Sequence, residues 1–222
     1  MQQQTRLGVV LALSLIANIV LNKAPMTIQL LLVPLFMGTL IYVAATDGIH
    51  RRDIGLTKQN SKQGLLYGVA IALIILVLFC IAFVIAPTLF SDQRYNQSPQ
   101  KLLVALLVIL PLRTVLLEEF LFRGVYYAYF KNLKPLYSYA IPALLFGMWH
   151  IIPSLDFKRL TLPIINFIVP QALSTLGTIT LTSIAGAGLL WARKRSGSLL
   201  APVIIHYTIN ATAMVLAYLS FT

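Results

Sequence analysis

The sequence predicts an all-α protein, a polytopic membrane helical bundle with seven or eight transmembrane helices. Three observations carry that prediction. Of 222 residues, 59% are hydrophobic and only 10% are charged, whereas a soluble domain carries about a quarter charged residues. Mean hydropathy is +0.85. Apolar runs able to cross a hydrocarbon core of ~30 Å, which takes about 20 helical residues, recur along the whole chain with only short polar breaks.

Seven such runs stand out, at roughly residues 7–22, 26–46, 64–90, 102–130, 137–152, 170–192 and 198–220. The first follows Arg6 and imitates a secretory signal. No small-x-small cleavage site precedes "NKAP", so an uncleaved first helix is expected. The fourth run is long and contains Pro111, whose missing backbone donor predicts a kink. The first and fifth runs are short. The piece "LTLPIINFIVP", 160–170, is bounded by Pro163 and Pro170 and reads as an interfacial segment or part of an eighth crossing. Two parts are expected: residues 1–100, with N-terminal helices and a basic loop, and residues 101–222, with the chemistry-bearing helices.

Net charge is +11, from 17 basic and 6 acidic residues. The basic residues lie between apolar runs, where they act as topology signals and anionic-lipid contacts. Arg6, the group Arg51, Arg52, Lys58 and Lys62, then Lys131, Lys134 and Arg193 to Arg195 fall on one side. Lys23, Arg94, Lys101, Lys158 and Arg159 fall on the other. This excess predicts a cytoplasmic N-terminus in the cell membrane. No basic stripe is interleaved with aromatics, so nucleic acid is not an expected partner; membrane lipid and a peptide or protein substrate are. Cys80, the single cysteine, sits in an apolar run and is expected to fill the core.

The stretch "TVLLEEFLFRGVYY", 114–127, places two carboxylates and an arginine in the fourth run. Each charge is costly at membrane depth, and such residues mark function by default. Glu119 and Arg123 are i, i+4, acid before base, and are expected to form a structural clamp. Glu118 lies about 100° further round the helix, without a partner nearby in sequence. Low dielectric disfavours an unpaired carboxylate, which suits a general base or acid near neutral pH. His150 ends "FGMWH", and His206 and Asn210 lie i, i+4 in "HYTIN". Counted at 1.5 Å per residue, Glu118, His150, His206 and Asn210 reach similar depths, placing the site between the cytoplasmic half and the midplane. His50 belongs to a loop. Arg113 reads as structural.

Two chemistries fit this set. In one, Glu118 and His150 activate a water that attacks a peptide carbonyl, with His206 and Asn210 stabilising the oxyanion. In the other, Glu118, His150 and His206 are candidate ligands of a divalent metal such as zinc, although H-E-x-x-H is absent. A lone histidine or asparagine in an apolar helix is often an interhelical hydrogen-bonder; it is the convergence of several that favours catalysis. A small transporter would also bury such charges, but internal symmetry and paired broken helices are absent from the pattern.

Read as E-E-x-x-x-R, F-x-x-x-H and H-x-x-x-N, these three segments in this order resemble the CPBP family, the CAAX prenyl proteases and bacteriocin-processing enzymes also called Abi. The resemblance covers roughly 100–220, and "RDIGLT…GLLYGV" is similar to the linker that often precedes such domains. It implies an intramembrane endopeptidase. Glu118 would be the catalytic glutamate, with His150 positioning and activating water. Glu119 and Arg123 would fill supporting places, and His206 and Asn210 would stabilise the oxyanion or ligate metal. Both metalloprotease and metal-independent glutamate mechanisms are attached to the family. A bacteriocin self-immunity or scaffold protein of the same fold is the non-catalytic alternative.

Overall fold

The computed structural model describes residues 2–155, 161–162, 167–168 and 170–221. Among these, the helices are α1 (Gln2–Lys23), α2 (Met26–Thr46), α3 (Ser61–Ile85), a long central helix α4 over 99–130, α5 (Pro135–Trp149), α6 (Ile151–Leu155), α7 (Gln171–Ser196) and α8 (Leu200–Leu219). A two-residue antiparallel pair joins Thr161–Leu162 to Phe167–Ile168. Residues 160, 163–166 and 169, with Lys158 and Arg159, lie outside the described residues. Among the described residues, α1, α2, α3, α7, α8 and the α5–α6 stretch, six in all, are long and apolar enough to cross a membrane. With α4 the polytopic helical bundle is complete in kind.

Local chemistry sets the helix ends. Ser98 caps α4, its hydroxyl accepting from the Lys101 amide at 3.4 Å, with Pro99 at the first helical position. α7 ends in Gly197 at φ +66°, a left-handed cap that suits glycine, and Arg193, Lys194 and Arg195 face the negative end of its dipole. Pro111 does not break α4. It lies inside a π-helical stretch, Ala105–Leu116, and a second such stretch spans Phe120–Tyr126. Widened turns of this kind are rare and gather at functional sites.

The exposure pattern is inverted relative to a soluble protein. Leu31, Leu35, Ile74, Val84 and Ile85 are exposed, whereas Glu119 is 0% and Arg123 1% exposed. Lipid solvates the first group and only protein can satisfy the second. Cys80 is exposed on α3 rather than buried in the core. An apolar helix facing lipid carries the same residue types as one facing protein, so the sequence offered no means of telling them apart.

Two ends of the bundle follow from the contacts. At one, Asp53 receives Lys131 Nζ at 2.6 Å, while its own carbonyl accepts from Arg193 at 3.1 Å. Asp47 receives Arg6 at 2.8 Å and the Tyr129 hydroxyl at 2.5 Å. This end therefore gathers the basic loops. The loop after α3, with turns at Pro87–Phe90 and Gln93–Tyr95, marks the opposite end.

Small residues let the helices close up, as in membrane bundles generally. A Cβ on Gly147 would stand 2.6 Å from the Ile179 carbonyl oxygen and would also strike the Ser183 hydroxyl. α5 and α7 thus meet at backbone distance just before His150. Gly147→Leu should cost about 1–3 kcal/mol by overpacking, seen as a lower melting temperature in detergent; an unchanged melt would contradict this contact.

Candidate active site

α4 supplies the two glutamates, α5 the Trp149–His150 pair, and α8 His206 and Asn210. Glu119 is the hub. Its Oε1 accepts from Arg123 Nη1 at 2.9 Å and lies 2.7 Å from His206 Nδ1. Arg123 is further held by the Gly186 carbonyl at 3.4 Å and stacks its guanidinium 4.0 Å from the Phe146 ring centre. The i, i+4 clamp read from the sequence is therefore present, and α8 is tied to it through a histidine.

Glu118 occupies the neighbouring position, 7% exposed. Its Oε1 accepts from the Trp149 indole N–H at 3.1 Å. Its Oε2 has no hydrogen-bond partner and lies 3.9 Å from His206 Nε2. Glu119 Oε2 is likewise buried without a partner. The two faces of one imidazole thus address the two adjacent carboxylates. A carboxylate only accepts, so Nδ1 donates to an ionised Glu119, and Nε2 is the nitrogen left toward Glu118.

His150 joins the group through a ring, not a hydrogen bond. Its Nδ1 meets the Phe146 carbonyl at 2.8 Å, and its ring packs edge-on to Phe146 at 4.7 Å. The carbonyl only accepts, so Nδ1 carries the proton and Nε2 the lone pair. Phe146 also packs against His206 at 5.9 Å. Asn210 lies one helical turn beyond His206, on the wall of a cavity of about 420 Å³. Leu110, Arg113, Thr114 and Met214 share that wall, with Asp92 and Tyr95 from the loop after α3. The cavity begins about one turn from the glutamates and extends toward the end opposite the basic loops.

The structure thus brings Glu118, Glu119, Arg123 and His206 into one contact network. His150 is attached through Phe146, and Asn210 is displaced by a turn. Two neighbours of this network were not singled out as such from the sequence. Trp149 could have been found, because a buried indole N–H requires an acceptor and it adjoins His150. Arg113, read as structural, donates to the Leu21 carbonyl at 2.6 Å and also lines the cavity. Asn18, whose amide donates to the Trp149 carbonyl at 2.9 Å, ties α1 behind the site.

A catalytic zinc centre takes three protein donors around one point, at about 2.0–2.3 Å each. Among the described residues no three His, Cys, Asp or Glu side chains gather in that way. Glu118 and His206 face each other, and among the described residues no third such side chain joins them. The arrangement does not fit such a metal.

Removing one partner of a fully buried ion pair strands the other at about 3–5 kcal/mol. Glu119→Leu should destabilise the protein by that amount in a detergent melt, and adding Arg123→Met should recover part of it. A melt unmoved by Glu119→Leu would contradict the clamp.

Comparison with known proteins bears on this geometry. No curated protein and no solved structure matches the chain. A family model described as "Type II CAAX prenyl endopeptidase Rce1-like" matches residues 99–212, which begins with α4 and contains every residue of the cluster. The chain belongs to the type II CAAX prenyl endopeptidase Rce1-like family, membrane-embedded peptidases of the CAAX type.

Proposed function

We propose that this chain hydrolyses a peptide bond of a membrane-associated or prenylated peptide, with Glu118 as the general base. The observation that carries this reading is the Glu118 carboxylate itself. One oxygen is fixed by Trp149, and the other, buried and unpaired, faces His206. A carboxylate held this way is oriented but not neutralised.

In the proposed step Glu118 takes a proton from water as the water oxygen bonds to the carbonyl carbon. The carbon–nitrogen bond then breaks and that proton passes to the departing nitrogen, so one water is consumed per bond. The His150 Nε2 lone pair accepts the water's other hydrogen and orients the attack. His206, whose Nδ1–H is anchored on Glu119, can hold a second proton on Nε2 and donate to the developing oxyanion. Asn210 offers a further donor on the cavity side. Glu119 and Arg123 position His206 and touch no substrate.

The partners are then membrane lipid and the peptide substrate. The positive-inside rule supports a cytoplasmic basic end and N-terminus. The cavity beside Asn210 lies at the other end, so in this orientation the substrate enters from the outer half of the bilayer.

The test is turnover of a fluorogenic farnesyl-cysteine peptide by the detergent-purified protein. Loss of a general base costs about 10²–10⁴ in rate, and that is the expectation for Glu118→Gln and His150→Ala in a folded, inserted protein. Trp149→Phe should lose about tenfold, the worth of one hydrogen bond to a charged group. A chelator should leave turnover unchanged. Undiminished cleavage by Glu118→Gln would overturn the assignment, and loss with chelator reversed by zinc would overturn the metal-free step.

A further inference from the structure

Asn18 is a buried polar residue of α1 that the proposed chemistry does not use. α5 ends at Trp149, His150 turns the chain at φ −86° and ψ 3°, and α6 begins at Ile151. Across this break the helical ladder continues, since the Ser154 amide donates to the His150 carbonyl at 3.0 Å. By the same spacing the Trp149 carbonyl would take its partner from residue 153. That residue is Pro153, which has no N–H. A buried carbonyl without a donor is costly, most of all at membrane depth. The Asn18 side-chain amide supplies the donor from another helix, at 2.9 Å.

The orientation of Asn18 is itself fixed. Asn22 Nδ2 donates both to the Asn18 main-chain carbonyl at 2.8 Å and to its Oδ1 at 2.7 Å. With its oxygen so engaged, Asn18 turns its NH2 toward Trp149. The peptide group between Trp149 and His150 is then held at both ends. Asn18 binds its carbonyl, and the Gly147 carbonyl accepts from the His150 amide at 3.1 Å. This one peptide plane joins the indole that donates to Glu118 to the imidazole whose Nδ1 meets the Phe146 carbonyl. We infer that Asn18 is a positioning residue: by holding the Trp149 carbonyl it aims the indole at Glu118 and sets His150 beside the attacking water. It touches no substrate. α1 lies outside residues 99–212, so this support comes from beyond the segment that matches the family model. The inference rests on the roles proposed for Glu118 and His150, but its test separates the two.

The test uses the full-length protein in detergent and two readouts. One is turnover of the farnesyl-cysteine peptide, and the other is the indole ¹H–¹⁵N signals of Trp149 and Trp191, the two tryptophans of the chain. Asn18→Leu keeps a side chain branched at the same carbon and removes the donor. Misplacing a catalytic group by about 1 Å costs about a hundredfold, so kcat should fall about ten- to a hundredfold with KM unchanged. The Trp149 signal should shift while that of Trp191 stays. Pro153→Ala gives the Trp149 carbonyl a main-chain donor, so adding it to Asn18→Leu should recover part of kcat and of the signal. If Asn18→Leu does not fold, Asn22→Ala replaces it. Asn18 then loses its orienting partner, and the same changes are expected at smaller size. A lower melting temperature with kcat and the Trp149 signal unmoved would overturn the inference, because Asn18 would then only fasten helices. So would a change confined to KM, or a loss that Pro153→Ala does not repair. Cleavage retained by Glu118→Gln would refute the general base while leaving the Trp149 signal to decide this contact.

Discussion

The site depends on the Glu119 carboxylate, a single negative charge with no exposure to solvent. One of its oxygens receives both the Arg123 guanidinium and the His206 imidazole. A charge so placed is tolerable only because it is paired and hydrogen-bonded in place. That requirement links α4 to α8, and through the Gly186 carbonyl and Phe146 it also links α4 to α7 and α5. His206 is oriented by this anchor, and Glu118 acquires a neighbouring donor as a consequence. Chemistry and helix packing share one ion pair.

The surrounding bundle makes this possible in oil. Helix association in lipid receives little hydrophobic driving force and relies on close packing and polar contacts. Gly147 brings α5 against α7, and buried hydrogen bonds such as Tyr126 to Ser14 at 2.9 Å and Asn18 to the Trp149 carbonyl fasten α1 behind α4 and α5. The π-helical turns of α4 fall on both sides of the Glu118–Glu119 pair. They place Arg113 toward the cavity and Glu118 toward His206 on one continuous helix. Glu118 and Glu119, adjacent in sequence, therefore have different surroundings: Glu119 is paired with a cation, and Glu118 accepts from an indole.

Much of this was legible before any coordinates. Composition and run lengths are dictated by the bilayer, so the helical bundle follows from them. The Glu119–Arg123 pair follows from i, i+4 spacing, because both partners lie on one helix. What could not be read were contacts set by the rotation of one helix about its axis relative to another. Depth counting put His150, His206 and Asn210 at similar levels but could not say which partner each takes: His206 meets Glu119, His150 meets the Phe146 carbonyl and ring, and Asn210 lines the cavity. Cys80 was misread for a related reason, since lipid and core accept the same side chains. Nor does the sequence reveal that the helix widens around Pro111.

The most direct measurement of the central claim is the protonation of His206 in the folded protein. With only three histidines in the chain, selective ring ¹⁵N labelling in detergent resolves each one, assigned by single substitutions. If Glu119 anchors the ring, His206 carries a hydrogen-bonded proton on Nδ1 at neutral pH, and Glu119→Gln changes that signal while leaving His50 unaltered. A His206 whose Nδ1 is unprotonated, or whose spectrum ignores Glu119→Gln, would show that the buried carboxylate does not organise the site.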